Sequence, residues 1–216
     1  MAQFFEIHLD NPQKRLIQQA VSIIDKGGLI IYPTDSSYAL GCHIGDKSAM
    51  ERIQRIRRLD NKHHFTLVCS DLSEIGSYAR VSNSDYRLMK SLTPGPYTFL
   101  LKATSDVPRR LMNPKRKTIG VRVPDNNIVR AMLQNLGQPI MSSTLIPADG
   151  SEAMDDAREI RQEYEHLVDL VIDGGFCGVE PTTVISLIDS VPEVMRHGKG
   201  DVAFLEDQTT QKSLAL

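Results

Sequence analysis

Six short polar segments interrupt the apolar runs of this 216-residue chain, each at or beside the end of one: PTDSSY at 33–38, TPGPYT at 93–98, GVRVPD at 120–125, SST at 142–144, PTT at 181–183 and RHG at 196–198. They bring together hydroxyls, acids, tyrosines and two arginines. In open α/β sheets ligands sit in a crevice at strand ends, so this recurrence points to a cleft for a small polar molecule. Arg122 interrupts the otherwise apolar TIGVRVP. A buried cation needs a partner, which is either an internal carboxylate or a ligand's carboxylate or phosphate held by the guanidinium fork. Arg196, between PEVM and a glycine turn, carries the same two readings. Thr34, Ser36, Ser37 and Tyr38 either satisfy a tight turn or recognise that molecule.

Other chemistries leave no trace. There is no GxxxxGK[ST], no GxGxxG after a strand, no HExxH and no GxSxG. Cys42, Cys69 and Cys177 form no CxxC, and the side chains of adjacent His63 and His64 diverge, so no protein metal site is expected. Two basic stretches remain: Arg52, Arg55, Arg57 and Arg58, then Arg109, Arg110, Lys115, Arg116 and Lys117. They are either solvated faces or a track for a nucleic-acid backbone. No aromatics interleave with them, which disfavours single strands and leaves shape-based duplex binding.

Such a cleft needs strands and covering helices. LIIYP at 29–33, FTLVC at 65–69 and the stretches 96–103, 117–124 and 139–145 read as strands, followed by LVDLVID, TTVISLID and PEVMRHG. Residues 10–26 read as a helix with Asp10 or Asn11 as cap and Pro12 in its first turn. A second helix follows Asp46, with Ala49, Met50, Ile53 and Ile56 inward, and 71–79, 84–92, 125–136 and 155–167 read as helices. The alternation predicts α/β, with a mixed sheet covered by helices. One domain is expected over 1–205, with a loosely ordered tail at 206–216. Net charge is −2 and no apolar run reaches membrane-spanning length. With few cysteines and no secretory pattern, a cytoplasmic location and no membrane partner are expected.

Taken in order, the segments resemble a family. GGLIIYPTDSSYALGC is similar to the YrdC-like pattern of a strand followed by PT-D/E-T-x-YGLG, TPGPYTFLLKA to its PGPxT strand, TIGVRVPDN to its GVRxPxx segment, and TTVISLID with VMRHG to its STVxD and later RxG. The spacing holds from about residue 10 to 200, and ERIQRIRRLDNKHHFTLVC resembles the YciO branch. The resemblance implies a YrdC/RibB-like twisted open sheet of mixed parallel and antiparallel strands with a concave basic cleft. It implies formation of threonylcarbamoyl-adenylate from L-threonine, bicarbonate and ATP with Mg2+ for tRNA modification. It implies substrate contacts by Thr34, Ser36, Tyr38 and Arg122, nucleotide contacts by Arg58, Ser143, Thr182 and Arg196, and catalytic roles for Arg57 and Thr144. The alternative is a double-stranded RNA or tRNA-binding translation or ribosome-maturation factor, in which Arg52, Arg55, Arg109, Arg110, Lys115, Arg116 and Lys117 hold RNA. A sugar-phosphate enzyme of the related dihydroxybutanone-phosphate synthase fold wants acidic metal ligands near the first strand, where only Asp35 stands.

Two motifs depart from the pattern. The family's Lys-x-Arg-Pro aligns with Arg57, Arg58, Leu59 and Asp60, and its Ser-Ala-Asn with Thr144, Leu145 and Ile146. Arginine does not replace lysine at a geometric site, and an aliphatic chain replaces an amide. Weak synthase activity or a differently handled ligand is expected.

Overall fold

The computed structural model describes residues 1–59, 65–113, 115–148, 153–189 and 191–205. Asp60, His63, His64 and the expected tail at 206–216 lie outside the described residues. The elements run β1 (Gln3–Glu6), α1 (Lys14–Asp25), β2 (Ile30–Tyr32), β3 (Ala39–His43), α2 (Lys47–Ile56), β4 (Thr66–Val68), α3 (Leu72–Tyr78), β5 (Ala79–Arg80), α4 (Asn83–Leu92), β6 (Tyr97–Ala103), a 3-10 turn (Arg109–Leu111), β7 (Thr118–Arg122), α5 (Asn127–Leu136), β8 (Ile140–Thr144), α6 (Ala157–Tyr164), β9 (Leu170–Asp173), β10 (Thr183–Ser186) and β11 (Glu193–Arg196). The strands form one open sheet in the order β1-β9-β2-β3-β8-β4-β7-β6-β10-β11, and β5 pairs with β6. β1, β9 and β2 run parallel, as do β4 with β7 and β6 with β10, while the remaining pairs are antiparallel. Among the described residues no helix is long and apolar enough to cross a membrane.

Local chemistry sets most boundaries. Asp46 caps α2 by accepting from the Ala49 N–H at 2.8 Å. Asn126 caps α5, and Gly137 ends it in the left-handed region at φ 69°. α1 departs from expectation: it starts at Lys14, and neither Asp10 nor Asn11 caps it. Instead the N–H groups of both donate to His8 Nδ1 at 3.2 Å, which holds these residues in a turn ahead of the helix. Three strands went unforeseen, among them the two-residue β5 at the end of the expected helix 71–79. β1 is a four-residue edge, and β3 lies within what reads as a polar turn.

The two sheet faces differ, and the difference makes the cleft. On one face α2, α3, α4 and α6 cover Leu40, Leu67, Phe99, Leu101, Val121 and Met141. On the other, α1 and α5 pack Ile17, Ile24, Ile128 and Met132 onto Ile30, Tyr32, Ile140 and Leu170. These two helices cover mainly the β9-β2-β3 end and reach as far as Ile140 at the start of β8. Beyond Ala39 and Val68, which also belong to that cluster, the same face carries Thr66, Gly120, Thr98 and Ser142, and it remains concave. Strand alternation places Thr66 opposite Gly120 and opposite Ser142. Small side chains at these positions leave a hollow where larger ones would fill it.

Candidate active site

The hollow is a cavity of about 420 Å³. Arg57, Arg122 and Arg196 line it, with hydroxyls from Ser37, Thr66, Thr98, Ser142, Ser143, Thr144 and Thr182. Its apolar wall includes Ala39, Val68, Leu100, Ile146 and Val184, and no carboxylate is among the described lining residues.

Segment 33–38 is organised by Thr34. Its hydroxyl donates to the Ser37 carbonyl at 2.6 Å and accepts from the N–H groups of Ser36 and Ser37 at 3.2 Å. This turn aims Asp35 and Ser36 at Arg122, which is 7% exposed. Arg122 Nη2 donates to Asp35 Oδ1, to Ser36 Oγ at 2.9 Å and to Thr34 Oγ1 at 3.3 Å. The internal ion pair considered from sequence therefore exists, yet Arg122 still lines the cavity, and its Nε is buried without a partner among the described residues. Tyr38 lies elsewhere. Its ring is fully buried in the opposite core, and its hydroxyl donates to the Gly175 carbonyl at 2.7 Å. Burial holds that phenol well above its ordinary range.

Arg57 caps the end of α2. Its Nη1 donates to the Ile146 carbonyl at 2.9 Å, and its Nε is buried with no partner among the described residues. Desolvation lowers its pKa. The neighbouring Arg58, at φ 47°, is exposed and is not among the cavity-lining residues. Across the cavity Thr182 Oγ1 pairs with Thr98 Oγ1 at 2.8 Å. Arg196 donates from Nε and Nη2 to the Thr182 carbonyl at 3.2 and 2.9 Å, and burial lowers its pKa. Beneath Thr144, Ser142 Oγ pairs with the Tyr32 hydroxyl at 2.7 Å and reaches the Leu40 carbonyl at 3.1 Å. Burial pushes Tyr32 up to about 12.

Arg57, Arg122 and Arg196 thus meet in one cavity with Ser143, Thr144 and Thr182, whereas Arg58, Tyr38, Thr34 and Ser36 are not among its lining residues. Of the proposed RNA contacts, Arg55, Arg109, Arg110, Lys115, Arg116 and Lys117 are exposed. Arg52 is committed to Asp169 Oδ2 at 2.7 Å and the Leu167 carbonyl at 2.9 Å. Sequence reasoning passed over Thr66, which stands in the polar phase of FTLVC, and Lys199, whose Nζ donates to the Asp35 carbonyl at 2.6 Å. Among the described residues no cluster of His, Cys, Asp or Glu is arranged to hold a metal ion.

An open mixed sheet whose concave face carries three guanidinium groups and a set of hydroxyls defines an α/β protein with an arginine- and hydroxyl-lined cleft. The particular family follows from comparison with known proteins. The Sua5/YciO/YrdC family profile, described as telomere recombination, matches residues 22–198, and the chain belongs to this family. It is 57% identical to the uncharacterized protein YciO of Escherichia coli over 202 residues, covering 94% of this chain and 98% of that protein. The crystal structure of E. coli YciO superposes with a TM-score of 0.90 over 94% of this chain and 98% of that one. At 32% identity over 178 residues, 82% of this chain and 91% of the relative, it is similar to the threonylcarbamoyl-AMP synthase of Chromobacterium violaceum. The fold also matches P. abyssi Sua5 complexed with L-threonine, with a TM-score of 0.83 at 23% identity, over 90% of this chain and 57% of that one.

Proposed function

We propose that the cleft forms threonylcarbamoyl-adenylate from L-threonine, bicarbonate and ATP, slowly. The observation that carries this reading is a pair of orphaned donors: Arg57 Nε and Arg122 Nε are both buried without a partner among the described residues, on cations lining one cavity. An unsatisfied buried donor is unfavourable by about 1–3 kcal/mol, more when charged, and an oxyanion ligand relieves both at once. In this reading Arg122, with Ser36 and Thr34 behind it, receives the threonine carboxylate or a phosphate, and Tyr38 supports that segment from the core. Ser143, Thr182 and Arg196 take the nucleotide, with Arg58 at its edge. Arg57 and Thr144 stand at the reacting phosphorus. The threonine amine adds to bicarbonate with loss of water to give a carbamate, whose oxygen attacks the α-phosphorus as the bond to pyrophosphate breaks and pyrophosphate leaves. Such transfer relies on positioning and on cations that offset developing charge. Magnesium enters on ATP as part of the substrate. Ile146 supplies carbon where the family pattern has an amide, which is why turnover is slow.

Incubation with ATP, magnesium, bicarbonate and labelled L-threonine tests this. Threonylcarbamoyl-adenylate should appear, together with pyrophosphate, and be lost in Arg122→Ala. Absence of product with the wild-type chain overturns the reading.

One observation favours a second reading, a double-stranded RNA or tRNA-binding protein. Arg110 donates to the Gly45 carbonyl and so brings the 109–117 stretch beside the start of α2. Arg55, Arg109, Lys115, Arg116 and Lys117 then hold phosphates, while Arg52 remains on Asp169. RNA affinity should fall steeply with salt, and a flat salt profile contradicts it.

A further inference from the structure

We propose that Asp35 is a positioning residue of this cleft: its carboxylate holds Nη2 and turns the Arg122 guanidinium so that Nε and Nη1, rather than Nη2, are the donors left for an anionic ligand. The inference rests on the cleft being an anion site. Nη2 has two protons and three acceptors, Thr34 Oγ1, Asp35 Oδ1 and Ser36 Oγ. A ligand oxygen gains nothing there. Among the described residues neither Nε nor Nη1 has an acceptor, and the Arg122 side chain is only 8% exposed. The plane of a guanidinium is set by rotation about the bonds before it, and the anchor at Nη2 removes that freedom.

Asp35 is built for this task. Its side chain is 11% exposed. Oδ1 receives Arg122, Oδ2 receives the Asp125 N–H at 2.9 Å, and its carbonyl receives Lys199 Nζ at 2.6 Å. One residue thereby ties together the turn after β2, the segment after β7 and the loop after β11, which frame the cleft. Both carboxylate oxygens accept from N–H donors. An amide of the same shape has one acceptor and an NH2, so Asp35→Asn sets an N–H against an N–H at one of the two contacts.

The test uses the full chain labelled with 15N and the Nε–Hε signal of Arg122, assigned by its loss in Arg122→Lys. In the wild type this proton should be protected from exchange and give one sharp signal. In Asp35→Asn it should exchange about tenfold faster or more, with circular dichroism unchanged. ATP affinity should fall about tenfold in Asp35→Asn, and not at all when the same change is made in an Arg122→Ala background. An Arg122 signal identical in wild type and Asp35→Asn overturns the inference, whatever ATP does. If the signal depends on Asp35 but the wild type binds no ATP, the positioning role stands and the proposed function falls. Asp35→Ser, which removes the carboxylate with less bulk, is read in the same way if Asp35→Asn does not fold.

Discussion

Arg57 Nη1 donates to the main-chain oxygen of Ile146 at 2.9 Å. These are two of the positions at which the chain departs from its family's Lys-x-Arg-Pro and Ser-Ala-Asn pattern, and they touch. The arginine reaches the strand end with one arm and leaves its Nε in the cavity wall, so the two changes belong to one rearranged contact. Restoring Arg57→Lys, Leu59→Arg and Ile146→Asn together should raise the rate of adenylate formation about tenfold or more, since one transition-state donor is worth about a hundred- to a thousandfold. Arg57→Lys alone should lower it, because the Ile146 carbonyl loses its partner. Initial rates with saturating ATP decide this, and a triple variant no faster than wild type contradicts it.

Thr182 joins two sides of the cavity through Thr98 Oγ1 at 2.8 Å and Arg196 Nη2 at 3.2 Å. Thr182→Val keeps the volume and strands the buried Thr98 hydroxyl. Unfolding free energy in urea should drop by about 1–2 kcal/mol, and ATP should bind more weakly because Arg196 is held by the Thr182 carbonyl alone. Unchanged stability would show that the hydroxyl pair contributes nothing.

Gly120 forms the cavity floor. A Cβ there would meet Thr66 Oγ1 at 3.0 Å and Thr98 Cγ2 at 3.4 Å. Gly120→Ala is therefore tight rather than forbidden and should lower stability by no more than about 1–3 kcal/mol. Gly120→Val should fill the hollow and abolish binding of threonine or ATP while the chain still folds. Calorimetric titration beside a thermal melt separates the two effects, and full affinity in Gly120→Val would place the ligand elsewhere.

Alkaline pH should weaken the fold in a defined window. Burial pushes Tyr32 from 10.0 up to about 12 and Cys42 from 9.0 up to about 12. Both folded values lie above the unfolded ones. The contribution is therefore complete below about pH 9 and lost as pH climbs toward 12, by up to about 1.4 kcal/mol per pH unit for each group. Tyr32→Phe should lose about 1 kcal/mol at neutral pH, where the Ser142 bond goes, and show a shallower decline above pH 10. Urea midpoints from pH 7 to 11 check this, and a parallel decline in both proteins contradicts it.

The buried strands and the α/β alternation were legible because LIIYP and TIGVRVP are apolar on both faces. β3 was not. Ala39 lines the cleft and Gly41 lies against the Tyr32 ring and Ile140, where a larger side chain would clash, and that smallness removes the apolar signal of a strand. Arg122 could be read as a cation needing a partner, but Asp35, 87 residues away in the chain, could not be named as that partner. Arg57 entered only through the resemblance, since a helix-end arginine normally faces water. Lys199 carried no local signal and Thr66 only its polar position within FTLVC, because their place depends on sheet order rather than spacing.

The most direct measurement is a crystal structure of the protein grown with ATP, magnesium and L-threonine. Ligand oxygens should lie within about 3.2 Å of both Arg57 Nε and Arg122 Nε, with the Asp35–Arg122 pair intact. Ligand bound outside the cavity, or bound within it with both Nε atoms still unpartnered, would contradict the account.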